Sequence, residues 1–165
     1  WEVLKELNDE VDGFSEDLKI KLIGKVSESC KNSIDENNLN SNLELVSYVP
    51  HSDVQKLQQS SQVLLLAVNN VPSAKGIITG KIFEYLLAKR PILAIGPVDG
   101  DLELILKKTN AGSIVGFDDK KLLKATILEH YKAYKSNVLT CESVGIDQYH
   151  RRNLTKQLST IIKEL

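Results

Sequence analysis

Apolar residues are distributed along the chain in two rhythms that take turns. Five short runs have the length and the leucine and β-branched content of strands: Leu18 to Gly24 (LKIKLIG), Leu43 to Val49 (LELVSYV), Val63 to Val68 (VLLLAV), Pro91 to Gly96 (PILAIG) and Ser113 to Val115. VLLLAV and PILAIG are nearly continuous, which suits the doubly covered centre of a parallel sheet, whereas LKIKLIG alternates as a half-buried strand does. Between the runs the spacing turns helical, over Ser27 to Asn37, Ser52 to Ser60, Gly80 to Arg90, Asp101 to Asn110 and Asp118 to Tyr134. An opening helix carries Trp1, Val3, Leu4, Leu7 and Val11 on one face, and a terminal helix spans roughly Tyr149 to Leu165.

Punctuation agrees with this reading. Ser52 before Asp53, Asp99 to Asp101 before LELILKK, and Asp118-Asp119 before KKLLKATIL are start signals, because short polar side chains bond the free N–H groups of a first turn. Asn110-Ala111-Gly112 is a stop. Strand and helix alternating so regularly imply βαβ units with right-handed crossovers, hence a Rossmann-like, three-layer α/β sandwich with a mostly parallel sheet. The chain, at 165 residues, is long enough for one core, and the expectation is a single domain over 1–165.

Composition narrows the function classes. A formal net charge of -1 gives no positive field for nucleic acid. Cys30 and Cys141 are too few and too scattered for a disulfide framework or a metal cluster, and read as buried free thiols of a reducing, cytoplasmic compartment. No run approaches the length of a membrane span. With no Met, and with Trp1 already inside a helical pattern, the chain reads as an excised domain.

In open parallel sheets ligands bind beyond the carboxyl ends of the strands, so the connections after Gly24, Val49, Val68 and Gly96 are the candidate sites. The one after Val68 is unusually long for a βα connection, running from Asn69 through Gly76, Ile77, Ile78 and Thr79 to Gly80 before Lys81-Ile82-Phe83-Glu84 enters a helix. Thr79 is placed to cap that helix, Gly80 to let a ligand approach the backbone, and the first-turn N–H groups to hold a phosphate. Lys81 near a helix N-terminus opposes the dipole by about 0.3 to 1 kcal/mol unless an anion lies between them. Glu84, roughly 4.5 Å further along the axis, is offset suitably for accepting hydrogen bonds from ribose hydroxyls. An ordinary i,i+3 surface pair of Lys81 with Glu84 stays open beside this nucleotide reading.

GKIFEYLLAKRPILAIGP resembles the donor-site helix and following strand of glycosyltransferases of the GT-B fold, family 4-like enzymes in particular. The likeness extends through LKIKLIGKV, LELVSYVPHSDVQKLQQSSQVLLLAV and the Asn-Ala-Gly turn before SIVGF, in the order of that family's C-terminal domain. It implies a nucleotide-diphosphate-sugar donor site in which Glu84 holds the ribose, Thr79, Gly80 and Lys81 face the diphosphate, and Gly76, Ile77 and Ile78 line the sugar end. The base would lie near Tyr48, Val49 and His51. It further implies a hexosyltransferase-like, retaining enzyme without cofactor or metal, whose acceptor is held by an N-terminal domain absent from this chain, so that the isolated domain is inactive.

Two departures limit the transfer. Many relatives carry two glutamates separated by seven residues, and the first position here is Gly76. The basic phosphate-clamping residues of many relatives would precede or flank Trp1. Catalytic residues are therefore not assignable.

Other motifs carry less. GIITGKI is one residue short of a P-loop and places Ile82 where a metal-binding hydroxyl belongs; no GxGxxG follows a strand. Asp99-Gly100-Asp101 is a DxD, explained by helix capping. His130 and His150 read as residues of solvated faces, and Arg151, Arg152 and Lys156 as a solvated face, with contact to an acidic membrane or to the missing domain as the alternative. The rival functions are half of a nucleotide-sugar 2-epimerase and a non-catalytic α/β nucleotide-binding module; a phosphoreceiver would need an Asp where the third run ends in Val68-Asn69.

Overall fold

Runs of leucine and β-branched residues make strands because their side chains pack well on a pleated surface, and the five expected runs all do so in the computed structural model, which describes residues 1–164. Every pairing is parallel, giving an α/β fold in which helices connect successive strands. The chain divides into two compact units, Trp1–Leu57 with Asp118–Leu139, and Gln58–Phe117 with the segment from Thr140 onward.

The first unit contains α1 (Glu2–Glu10), α2 (Phe14–Asp17), β1 (Ile20–Ile23), α3 (Glu28–Glu36), β2 (Leu43–Val46), most of α4 (His51–Ser60) and α7 (Lys120–Lys135). β1 pairs with β2 from Ile20 opposite Leu43 to Ile23 opposite Val46. Its interior is built as two small clusters. Val3, Leu7 and Phe14 pack against Leu123, Ile127 and Tyr131 of α7, while Ile20, Ile34 and Leu39 close over the strand pair. Asn42 is buried, yet its amide donates to the Ser15 and Leu18 carbonyls at 2.8 and 3.1 Å and its oxygen accepts from Asn8.

The second unit holds β3 (Leu64–Ala67), α5 (Lys81–Ala88), β4 (Ile92–Ile95), α6 (Asp101–Thr109), β5 (Gly112–Val115) and α8 (Arg151–Lys163). β4 is central, paired with β3 on one side and β5 on the other. Leu66, Ile82, Leu86, Ile92, Ala94, Leu102, Leu106 and Ile114 form one continuous core between strands and helices. Full burial of each large aliphatic side chain contributes about 1.5–3 kcal/mol. Gly112 is required where it stands, since a Cβ there would lie 1.9 Å from the Ile92 carbonyl oxygen.

Several local expectations are corrected. β4 is buried at Ile92, Leu93 and Ala94 and partly so at Ile95, whereas β3, paired among the described residues only with β4, alternates, with Leu65 45% exposed. The fourth helix starts at His51, so Ser52 lies inside it rather than capping it. Asp99 and Asp101 do not cap α6; the N-cap is Gly100 and makes no side-chain bond, while Asp101 lies in the first turn and Asp99 turns to Lys75. Asp119 does cap α7, accepting from the Leu122 N–H at 2.9 Å, and Asn110, in the left-handed region at φ 49°, ends α6. A short 3-10 turn over Ile146–Tyr149 precedes α8, whose N-cap is His150 rather than Tyr149; the expected end at Leu165 lies outside the described residues. Cys30 and Cys141 are free but only half-buried. His130 is half-buried on α7 rather than solvated, and this burial holds its imidazole below the ordinary range. No described helix is long and apolar enough to cross a membrane.

Candidate functional site

The connection leaving β3 is shaped before any ligand is considered. Ala74–Gly76 wind into a 3-10 turn, closed by Ala74 N–H to the Val71 carbonyl and Gly76 N–H to that of Ser73. Lys75 then reaches Asp99, in the turn after β4, and the pair holds the Asp99 carboxyl below the usual carboxylate range. The backbones meet as well, since a Cβ on Gly100 would stand 2.7 Å from the Lys75 carbonyl oxygen. This long loop is therefore anchored at its middle to the next strand–helix turn. Ile77 packs on the core beneath it, whereas Ile78 remains exposed.

The helix that follows begins differently from the sequence-based expectation. Its N-cap is Gly80, which has no side chain to offer, and Thr79 does not cap it; the Thr79 hydroxyl is buried without a partner among the described residues. The Thr79 carbonyl accepts from the Ile82 N–H. Gly80 has an ordinary right-handed backbone, φ −59°, with no heavy atom within 4 Å of a Cβ added there. Its usefulness is thus open space before the first turn, whose N–H groups have no partner inside the helix.

Lys81 is the first residue of α5, exposed, and no ion pair engages it among the described residues. The i,i+3 pair with Glu84 is not formed. Glu84 is half-buried and instead accepts a hydrogen bond from the Gln58 amide of α4, Nε2 to Oε2, at 3.3 Å. Beside it, the Tyr85 hydroxyl donates to the Leu65 carbonyl at 3.3 Å, tying α5 to β3, and burial together with the Glu84 charge pushes the Tyr85 phenol up.

Gly76, Ile77, Ile78, Thr79, Gly80, Lys81 and Glu84 thus lie on one loop–helix junction of the second unit, where a cation without an ion pair among the described residues, the first-turn N–H groups and a half-buried carboxylate follow one another. The Ile82 N–H of that turn is already bonded to Thr79, and the remaining donors, with Lys81 and Glu84, can bind an anion at the helix start and a hydroxyl-bearing group one turn on. The three residues expected on the base side belong to the first unit. Tyr48, just past β2, is 87% exposed, Val49 is half-buried, and His51 is exposed as the first residue of α4. Sequence reasoning missed Gln58. The available signal was its position with Val54 and Leu57 on the i, i+3, i+4 stripe of α4, where a polar residue is out of place.

No known protein family matches the chain, and no curated protein matches it in sequence. Among solved structures it is similar to a sucrose-phosphate synthase from Thermosynechococcus elongatus, with a TM-score of 0.63 and 14% identity over 99% of this chain. The chain spans 41% of that protein's length. The likeness is one of fold, and it agrees with the Rossmann-like α/β architecture expected from the sequence.

Proposed function

We propose that the chain is the nucleotide-sugar donor-binding, C-terminal domain of a GT-B glycosyltransferase, family 4-like and retaining, that acts with an acceptor-binding N-terminal domain. The observation carrying this reading is the junction into α5: among the described residues Lys81 stands at a helix N-terminus with no acid paired to it, and Glu84 one turn on is held by Gln58 rather than spent on that lysine. A diphosphate at the first turn accounts for the cation, since it reverses an otherwise unfavourable charge–dipole contact. A ribose accounts for Glu84, which accepts from the sugar hydroxyls.

In this reading the departing diphosphate is stabilised by helix N–H groups and Lys81 without any metal, and closure of the two halves of the enzyme aligns donor with acceptor. The chain alone binds donor and transfers nothing.

The test is a titration with UDP, GDP, ADP and their sugar conjugates, followed by amide chemical shifts. Saturable shifts centred on Gly80 to Glu84 and selective for one base support the proposal. Absence of binding at millimolar ligand, both for this chain and for a longer form carrying an N-terminal domain, would refute it.

A further inference from the structure

We infer that Gln58 is a positioning residue that sets the Glu84 carboxylate for ribose, so that discrimination between ribose and deoxyribose depends on a side chain outside the donor site's own loop and helix; this rests on the donor-site reading above. Gln58 lies in the last turn of α4 and is 7% exposed. It shares the apolar stripe of that helix with Val54 and Leu57, where a leucine or methionine would fill similar volume at less cost. Its amide makes one hydrogen bond, Nε2 to Glu84, and its Oε1 is buried with no partner among the described residues. A buried, unpartnered acceptor works against stability. Gln58 is thus a poor choice for the folded state alone, and what it supplies is the N–H facing Glu84.

The surroundings keep that N–H in place. Arg90 Nε, just past α5, donates to the Gln59 carbonyl at 2.6 Å, so the end of α4 that carries Gln58 is pinned to the end of the helix that carries Glu84. The Tyr85 bond to Leu65 fixes α5 against β3 from the other direction. An ionised carboxylate only accepts hydrogen bonds. With Gln58 engaging Oε2, the carboxylate plane is restrained and Oε1 is left for hydroxyl donors. Preorganising an acceptor in this way reduces the ordering cost that binding would otherwise incur. It selects for ligands that bring hydroxyls to Oε1 and does nothing for those without them.

Calorimetric titration with UDP, GDP and ADP, each in ribose and 2′,3′-dideoxyribose form, separates the possibilities when run on the wild type, Gln58→Leu, Glu84→Ala and the double variant, beside thermal melts. The wild type is expected to prefer the ribose form of one base. Gln58→Leu should reduce that preference about tenfold, the loss of one hydrogen bond to a charged group, leave dideoxy affinity unchanged, and melt no lower than the wild type. In the Glu84→Ala background Gln58→Leu should change nothing further. If Glu84→Ala abolishes the preference while Gln58→Leu retains it, the donor-site reading stands and the role of Gln58 is refuted. Equal loss for both ligand forms together with a lower melting temperature shows a packing role and also refutes it. A wild type that binds no diphosphate, or binds both forms equally, overturns the underlying reading and this inference with it, without recourse to any variant. Gln58→Met, closer in length, gives the same comparison should the leucine variant fold poorly.

Discussion

The two units of the chain are stabilised in different ways. The second has one continuous core around a central strand, β4, buried at Ile92, Leu93 and Ala94. The first has two small clusters and a row of ion pairs from α7 to α1 and α2, where Lys120 meets Glu2, Lys124 meets Glu6 and Glu10, and Lys135 meets Asp17. Exposed pairs of this kind contribute little individually and are screened by salt. The contrast indicates that the candidate site is mounted on the unit with the stronger apolar foundation, which is where preorganisation of a loop–helix junction has most to gain.

Removing core volume from the second unit should have the largest effect. Ile92→Ala removes a fully buried side chain at the start of β4, and its expected cost is about 2–5 kcal/mol, read from denaturant unfolding. A loss below that range would mean that β4 is not the foundation described. In the first unit, Asn42→Ala leaves the Ser15 and Leu18 carbonyls without their donor and should cost about 1–3 kcal/mol, comparable to a core change despite involving no apolar volume.

A smaller effect, visible only through pH, is expected at Asp17. Hydrogen bonds from Lys135 and then from Tyr131 lower its carboxyl below the ordinary value. A depressed folded-state value contributes stability that is fully present above the ordinary carboxylate range and lost as pH falls through the folded value. Asp17→Asn should therefore melt below the wild type at neutral pH and converge with it in acid; a gap independent of pH would contradict this account. The smallest change is expected from Lys124→Ala, which should lower the melting temperature slightly at low ionic strength and not measurably in high salt.

Strand positions were legible because the apolar runs are bounded by turn residues; four strands fall inside the expected segments, and β5 begins one residue early, at Gly112. The rhythm of a run says less about how many neighbours a strand has, so VLLLAV looked as central as PILAIG although Leu65 faces outward. Helix starts were read from residue type, which succeeded at Asp119 and failed at Thr79 and Asp99, where the side chains point elsewhere in three dimensions. The loop and Glu84 stood out through length, glycine and charge. Gln58 did not, because its contact with Glu84 crosses 26 residues and links two helices whose apposition no local pattern encodes.

The central claim is that the first turns of α5 bind a nucleoside diphosphate, with Glu84 on its ribose. The most direct measurement is the affinity of wild type and Glu84→Ala for the ribose and dideoxyribose forms of the preferred diphosphate. The account predicts that the wild type favours the ribose form by about tenfold or more and that Glu84→Ala removes this preference while leaving dideoxy binding in place. A wild type indifferent to the ribose hydroxyls, or a preference that survives Glu84→Ala, would contradict it.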